Sequence, residues 1–189
     1  MKLLALNGSP RPEGTVHTLL AAVAEGASGR HQVEWVDVYR LNMRNCVGCM
    51  KCRPRGTCVL PRDDAQEMGQ KIAAADGLLV GTPTHWGNMS APLLTLFARN
   101  VPALMIDRRG RFPQRLQKGK PAAIVAACST PWPFNVICAE SRGSVRAVKG
   151  VLGWGGYRLR GVVVHPNTWA KPEIPRKTLA RARRLGRKF

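Results

Sequence analysis

The fold of this chain is decided by its first stretch, Lys2-Leu3-Leu4-Ala5-Leu6-Asn7-Gly8-Ser9-Pro10-Arg11-Pro12-Glu13-Gly14-Thr15. The apolar run at residues 2–6 has the length of a buried strand, and the residues after it are turn formers. A helical pattern then covers residues 15–27. A buried strand that passes through a tight turn into a helix is typical of the first unit of an α/β sheet.

The same alternation of strand and helix continues along the chain. Further strands are predicted at 33–39, 77–82, 122–127 and 160–165, and further helices at 64–75, 90–106, 142–152 and 172–188. Five strands with right-handed crossovers favour a three-layer α/β fold with a parallel sheet in the flavodoxin order 2-1-3-4-5. We expect one domain over residues 1–189, with loops at 41–62, 107–120 and 129–141 and a basic C-terminal helix.

The length and composition fit a globular protein. The chain has 189 residues, of which 44% are hydrophobic, which is enough to bury a full core. The first apolar run is too short for a secretion signal, and no apolar run approaches the roughly 20 residues of a membrane helix. We therefore expect a cytoplasmic protein with no membrane partner.

The net charge is strongly positive. Thirty lysines and arginines stand against 11 acidic residues, which gives a formal charge of +19. These basic residues are spread along the chain, and only the tail at 176–188 is dense. Because no nucleic-acid motif accompanies them, the pattern argues against nucleic acid as a partner. It favours attraction to anionic cofactors and acidic redox partners.

The turn between the first strand and the first helix is predicted to bind phosphate. Free N–H groups and the helix dipole favour an anion at this position. Ser9 and Thr15 carry hydroxyl donors, and Arg11 carries a guanidinium that forms charge-assisted bonds with phosphate. Gly14 lets the backbone bend close to such a group. The G-x-G-x-x-G motif is absent from this turn, which argues against a Rossmann fingerprint for NAD.

Two further loops follow the third and fourth strands and are predicted to hold a planar ring. Both lie at the carboxyl edge, where sheets of this kind bind ligands. An aromatic wall, a close backbone approach and an amide side chain suit a flat heterocycle. The predicted residues are Pro83, Thr84, His85, Trp86, Gly87 and Asn88 in the first loop and Ser129 and Thr130 in the second.

Four cysteines lie within 13 residues of one another, with the spacing C-x2-C-x2-C-x5-C. They are Cys46, Cys49, Cys52 and Cys58. In a cytoplasmic protein such a run indicates metal or redox chemistry rather than disulfides. An iron–sulfur cluster, a zinc ion and free redox-active thiols are the three alternatives. A short single loop suits a wide cluster better than a zinc site, which usually draws on two separated pairs.

Several of these segments resemble the flavodoxin-like family of NAD(P)H-dependent FMN reductases. The similar segments are the turn Gly8-Ser9-Pro10-Arg11, the run from Thr82 to Leu93, and Asp63-Asp64 after the cysteines. The cysteine run is similar to that of the iron–sulfur flavoprotein branch. That branch implies FMN, one [4Fe–4S] cluster per subunit, and a homo-oligomer in which the FMN of one subunit approaches a neighbour's cluster.

The resemblance also implies roles for individual residues. Ser9, Arg11 and Thr15 fall on phosphate-binding positions, residues 83–88 fall on the loop that holds the isoalloxazine ring, and the four cysteines fall on cluster ligands. The chain departs from the family at three places. The family turn usually continues Gly-Asn-Thr, whereas this chain has Gly14-Thr15-Val16, so one phosphate donor is lost or moved. His85 stands where tyrosine is common, and Asn100 stands where the family often ends its helix with aspartate.

The sequence therefore predicts a flavin-dependent oxidoreductase that binds FMN and a [4Fe–4S] cluster. It would pass electrons from a donor, either NAD(P)H or a ferredoxin-type protein, to a small acceptor such as a quinone, dioxygen or peroxide. No side chain is assigned as catalytic, because the redox chemistry belongs to the cofactors. One alternative is an NAD(P)H-dependent FMN or quinone reductase without a cluster. Another is a basic flavodoxin-fold module that binds nucleic acid or a protein partner.

Overall fold

The five predicted strands form near their predicted positions, and two short strands that the sequence did not predict, Met105–Ile106 and Gln114–Arg115, are added to them. The computed structural model describes residues 1–106 and 112–189, and the strands within these ranges are β1 (Lys2–Asn7), β2 (Gln32–Asp37), β3 (Gly77–Pro83), β4 (Met105–Ile106), β5 (Gln114–Arg115), β6 (Pro121–Ala127) and β7 (Arg158–His165). Five of them form one parallel sheet in the order β2-β1-β3-β6-β7. Counted along the chain, this is the order 2-1-3-4-5, and the predicted fold is confirmed.

The helices connect the strands and cover both faces of the sheet. Those in the described ranges are α1 (Thr15–Ser28), α2 (Cys52–Arg55), α3 (Asp64–Ala74), α4 (Ala91–Arg99), α5 (Val101–Leu104), α6 (Phe134–Ile137), α7 (Glu140–Gly155) and α8 (Arg176–Gly186). Helices α1 and α8 pack on one face, and α3, α4 and α7 pack on the other. All seven residues of β6 are buried, as expected for a central strand covered on both faces.

The predicted helix at residues 90–106 is divided in two. Helix α4 ends at Arg99, and α5 begins at Val101. The reason is Pro102, which has no backbone N–H and whose ring would clash with the preceding turn of a continuous helix. Asn100 lies between the two helices, and its side-chain amide donates to the carbonyl of Leu96 over 2.9 Å.

Other boundaries differ from the predicted ones for similar local reasons. The second strand ends at Asp37, and a short 3₁₀ helix follows at Val38–Arg40. Helix α8 begins only at Arg176, after Pro175. The predicted loop at 107–120 lies partly outside the described residues, and its described part contains β5, which pairs antiparallel with β4. In the described part of the chain, no helix is both long enough and apolar enough to cross a membrane.

Helices α1 and α8 approach so closely that their backbones touch. A Cβ atom on Gly26 of α1 would collide with the carbonyl oxygen of Arg183, and one on Gly186 of α8 would collide with that of Val23. Above these contacts, Arg183 Nε donates to the carboxylate of Glu25 over 2.8 Å. The two glycines therefore set the distance between α1 and α8.

This packing predicts opposite effects for two Gly→Ala substitutions in helices. Gly26→Ala should lower the free energy of unfolding by about 1–3 kcal/mol, because the helices must move apart. Gly150→Ala is the matched control, because among the described residues the space around its Cβ position is open. It should raise that free energy by up to about 1 kcal/mol through helix propensity. Urea denaturation followed by circular dichroism measures both, and stabilisation by Gly26→Ala would contradict the described packing.

Candidate functional site

A cleft of about 460 Å³ opens at the carboxyl edge of the sheet. It lies where the loops after β1, β3 and β6 meet the segment that follows β7. The order β2-β1-β3 places the switch point of the sheet between β1 and β3, where folds of this type bind ligands. Eight of the predicted cofactor-binding residues line this cleft, namely Ser9, Arg11, Gly14, Thr15, Pro83, Thr84, His85 and Ser129.

The turn after β1 is held in place by short polar contacts. The N–H of Gly8 donates to the carbonyl of Gly81 in β3 over 2.8 Å, and the N–H of Arg11 donates to Ser9 Oγ over 3.2 Å. A Cβ atom on Gly8 would lie 2.8 Å from the Gly81 oxygen, so a glycine is needed for this approach. The turn therefore presents its backbone to the cleft in a defined shape.

The start of α1 is free to bind an anion. Its N-cap is Gly14, and among the described residues no side chain caps the helix and no acidic residue lies in its first turn. The N–H groups of a first turn lack intrahelical acceptors, and the helix dipole adds partial positive charge there. Together with Arg11 and Thr15, this helix start suits a phosphate group.

A partly buried hydrogen-bond network at the ends of β1 and β2 supports the turn. Asn7 accepts a hydrogen bond from the N–H of Ser9 through Oδ1, and it donates through Nδ2 to Asp37 over 2.9 Å. Trp35 Nε1 donates to the same carboxylate oxygen over 2.9 Å. Burial would raise the pKa of Asp37, but the hydrogen bonds from Asn7 and Trp35, together with the nearby charge of Arg40, lower it below its ordinary value on balance. A charged acceptor at the end of β2 thus orients the turn after β1.

The loop after β3 forms a tight hairpin turn. His85 and Asn88 exchange backbone hydrogen bonds of 3.0 and 2.9 Å, and the two residues between them have positive φ angles, 51° at Trp86 and 67° at Gly87. A bulky residue rarely adopts such a φ. The Trp86 side chain is 100% exposed. Helix α7 packs on the turn, with Gly143 against the carbonyl of Gly87.

The structure does not bring every predicted residue into the cleft. Trp86, Gly87, Asn88 and Thr130 are outside its lining in the described residues, and their cofactor-binding roles stay predictions. Glu13 and Cys128 line the cleft without having been predicted. So does the segment after β7, which contributes Thr168, Trp169, Pro172 and Ile174.

The segment after β7 was missed because it carries no recognisable motif. Trp169, which is 88% exposed, stands beside the cleft as an aromatic wall of the kind that the sequence assigned to Trp86. The one feature of the sequence that could have indicated its role is that it directly follows the last strand. Loops at the carboxyl ends of parallel strands lie at one edge of the sheet, so this segment lies at the same edge as the turn after β1.

The four clustered cysteines line one small cavity of about 20 Å³ in the loop at 41–62. All four are free thiols, with Cys46 and Cys49 exposed and Cys52 and Cys58 partly buried. Burial raises the pKa of the Cys52 thiol, and the neighbouring thiols of Cys58, Cys46 and Cys49 raise it further. The apolar part of the lining is formed by Val47, Met50, Val59, Leu60 and Ala98.

A buried arginine closes this cavity from the side of α4. Arg99 Nε donates to Cys58 Sγ over 3.2 Å, and its Nη1 and Nη2 donate to the carboxylate of Asp63 over 2.8 and 3.0 Å. Burial would raise the pKa of Asp63, but its hydrogen bonds from Arg99, Arg44 and Ala65 lower it on balance. Asp63 also begins α3 as the N-cap of a capping box with Gln66.

The residues of both sites suit the groups that the sequence predicts. In the cleft, an uncapped helix start, Arg11 and apolar walls fit a phosphate-bearing ring cofactor. In the cysteine loop, four thiols on one cavity beside a cation fit an iron–sulfur cluster. Within residues 1–106 and 112–189, no three His, Cys, Asp or Glu side chains lie close enough together to form a preformed metal site.

Comparison with known proteins identifies several relatives that are named iron–sulfur flavoproteins. An iron–sulfur flavoprotein of Methanocaldococcus jannaschii is 36% identical over 104 residues, which are 54% of this chain and 53% of that protein. One of Clostridioides difficile is 25% identical over 193 residues, which cover 100% of this chain and 78% of that protein. The chain matches about half the length of most of these curated relatives.

Solved structures share the fold over the whole chain. The NAD(P)H:quinone oxidoreductase of Methanothermobacter marburgensis superposes with a TM-score of 0.74 at 23% identity, covering 100% of this chain and 96% of that one. An FMN-dependent NADH-azoreductase of Bacillus anthracis, in complex with FMN, has a TM-score of 0.72 at 12% identity, and the match covers 100% of this chain and 97% of that one. The family model for NADPH-dependent FMN reductase matches residues 1–173. The resemblance predicted from the sequence is confirmed, and the chain belongs to the NADPH-dependent FMN reductase family.

Proposed function

We propose that this protein is a flavin-dependent oxidoreductase that binds FMN in the carboxyl-edge cleft. The observation that carries the proposal is the uncapped start of α1 beside Arg11, which together make a phosphate site at the switch point of the sheet. Family membership and a likeness in fold to an azoreductase that contains FMN support it. The cleft would place the phosphate and the ring system of one molecule against different loops.

The chain would hold each part of FMN with a different set of residues. Ser9, Arg11 and Thr15 would donate to the phosphate, and Gly14 would let the backbone approach it. Residues 83–85 would lie against the ring, and Trp169 would shield it from water. Bound FMN supplies the redox chemistry, while the protein controls access and orientation. The donor, whether NAD(P)H or a ferredoxin-type protein, and the acceptor, whether a quinone, dioxygen or peroxide, remain part of the proposal.

Removing the guanidinium of Arg11 should weaken FMN binding. Hydrogen bonds to charged groups contribute about 1.5–3 kcal/mol, so Arg11→Ala should raise the dissociation constant about tenfold or more. Fluorescence quenching of FMN during titration of the apo-protein measures this constant. The matched control is Arg30→Ala, which removes the same charge from an exposed position beyond the other end of α1. Equal affinities in Arg11→Ala and wild type would refute the phosphate assignment.

We also propose that Cys46, Cys49, Cys52 and Cys58 hold one [4Fe–4S] cluster. Their common cavity, the apolar residues around it and the iron–sulfur relatives support this assignment. A bound cluster supplies one-electron chemistry beside the flavin. The rival proposal is an NAD(P)H-dependent FMN or quinone reductase in which the four thiols stay metal-free.

Each of the four cysteines should be required for the cluster but not for FMN. Substitution of any one of them by Ala should abolish the iron–sulfur EPR signal of anaerobically purified protein, because one ligand is lost. Flavin content should remain, since the cleft is built from other loops. Cys138→Ala is the control, because this cysteine is exposed and does not line the cavity. Wild-type protein that carries zinc, or neither iron nor sulfide, would favour the rival proposals.

We propose further that the protein is a homo-oligomer, a dimer or tetramer, with the cysteine loop at or near an interface. The tip of the loop carries two large apolar side chains in solvent, Val47 at 65% and Met50 at 63% exposure. The cysteines beside them are exposed as well. A second subunit would cover these groups, and closed symmetric assemblies are the common outcome.

Sedimentation velocity of the holo-protein tests this assembly. We expect a dimer or tetramer at micromolar concentration. Met50→Lys should shift the equilibrium towards smaller species, because it places a charge in the interface. Ala180→Lys, at an exposed position on α8, is the matched control and should leave the assembly intact. A monomeric wild-type protein that still reduces an acceptor through FMN would disprove the proposal.

A further inference from the structure

Arg99 is a fully charged side chain in the interior of the protein. Its side chain is 0% exposed, although it lies at the last position of a helix whose other buried residues are apolar. Burying a guanidinium costs several kcal/mol unless each donor finds a partner. Leucine or methionine could fill this space without the cost of burying a charge. We therefore ask what the charge of Arg99 does.

The contacts of Arg99 join both ends of the cysteine loop. Nη1 donates to the carbonyl of Arg44 over 2.6 Å, just before the first cysteine, and both Nη atoms bind Asp63 after the last one. The remaining contact is the one from Nε to Cys58 Sγ over 3.2 Å. The bidentate pair with Asp63 fixes the plane of the guanidinium. Arg99 therefore faces a proposed cluster ligand in one orientation.

We propose that Arg99 is a positioning residue that raises the reduction potential of the group held by the cysteine loop. This inference rests on the proposed [4Fe–4S] cluster. Hydrogen bonds to the ligand sulfurs and nearby net charge are the main protein controls on such a potential. Reduction adds one negative charge, which a fixed cation at Cys58 stabilises. Asp63 acts in the opposite sense, because its carboxylate offsets part of the charge of Arg99.

Burial distinguishes Arg99 from three exposed cations that flank the cysteines. Lys51, Arg55 and Arg62 are exposed, so water and salt screen their charges. The charge of Arg99 acts through the protein interior, where electrostatic interactions are stronger. Among these side chains, Arg99 should therefore have the largest influence on the potential.

Two substitutions with opposite expected effects test the inference. Potentiometric titration of anaerobically purified holo-protein, followed by EPR for the cluster and by absorbance for FMN, gives both midpoint potentials from one sample. Arg99→Gln should lower the cluster midpoint, and Asp63→Asn should raise it. The control, Arg55→Gln, should produce a smaller shift than Arg99→Gln. The FMN midpoint should stay at its wild-type value in all three variants, because the cleft uses other residues.

The opposite signs distinguish an electrostatic role from a structural one. If the substitutions only loosened the loop, the cluster midpoint would shift in the same direction in both variants. A shift in the same direction, or no shift in either variant, would overturn the inference. If Arg99→Gln loses its iron, the test rests on Asp63→Asn: a raised cluster midpoint supports the inference, and a lowered or unchanged one overturns it. If both variants lose iron that wild type retains, Arg99 serves only loop folding, and the inference is wrong. Wild-type protein without iron and sulfide would overturn the cluster proposal itself, and this inference with it.

Discussion

The backbone contact between Gly8 and Gly81 is the constraint on which the candidate FMN site depends. It joins the ends of β1 and β3, the two strands that flank the switch point, through an N–H···O bond of 2.8 Å. A side chain on Gly8 would press against the same oxygen. Because this contact brings the two loops together, the turn after β1 and the loop after β3 face one cleft. The turn is further oriented by Asn7, which Asp37 holds from the neighbouring strand.

A second constraint acts at the cysteine loop, where a buried ion pair takes the place of hydrophobic packing. The tip of the loop is largely exposed, so apolar burial contributes little to its shape. Arg99 and Asp63 instead hold its two ends. Removing one partner of such a pair typically costs about 3–5 kcal/mol, because the other charge stays buried alone. The same ion pair that orders the loop also brings a fixed positive charge to Cys58, so the proposed tuning follows from the way the loop is anchored.

Most of the fold could be predicted because each element has a strong local signal. Central strands of a parallel sheet are buried on both faces, so β3 and β6 appear in the sequence as continuous apolar runs. Alternation with helices then leaves few possible topologies. The differences are of two kinds: short elements that lie inside predicted loops, such as α2, β5 and α6, and boundaries, where one residue decides. Pro102 divides a predicted helix, and Pro175 delays the start of α8.

The sequence by itself determined the turn after β1 and the clustering of four thiols, because these depend on residues that are close together in the chain. It also determined the strand order, because alternating strands and helices leave few topologies. Only the tertiary structure decided which residues face the cleft. It placed Trp169, after the last strand, beside residues of the first turn, and it turned Trp86 into solvent. It also buried Arg99 against Cys58 and Asp63, which are 41 and 36 residues away. A cation at the end of an amphipathic helix usually faces water, and here it is buried because a distant loop folds over it.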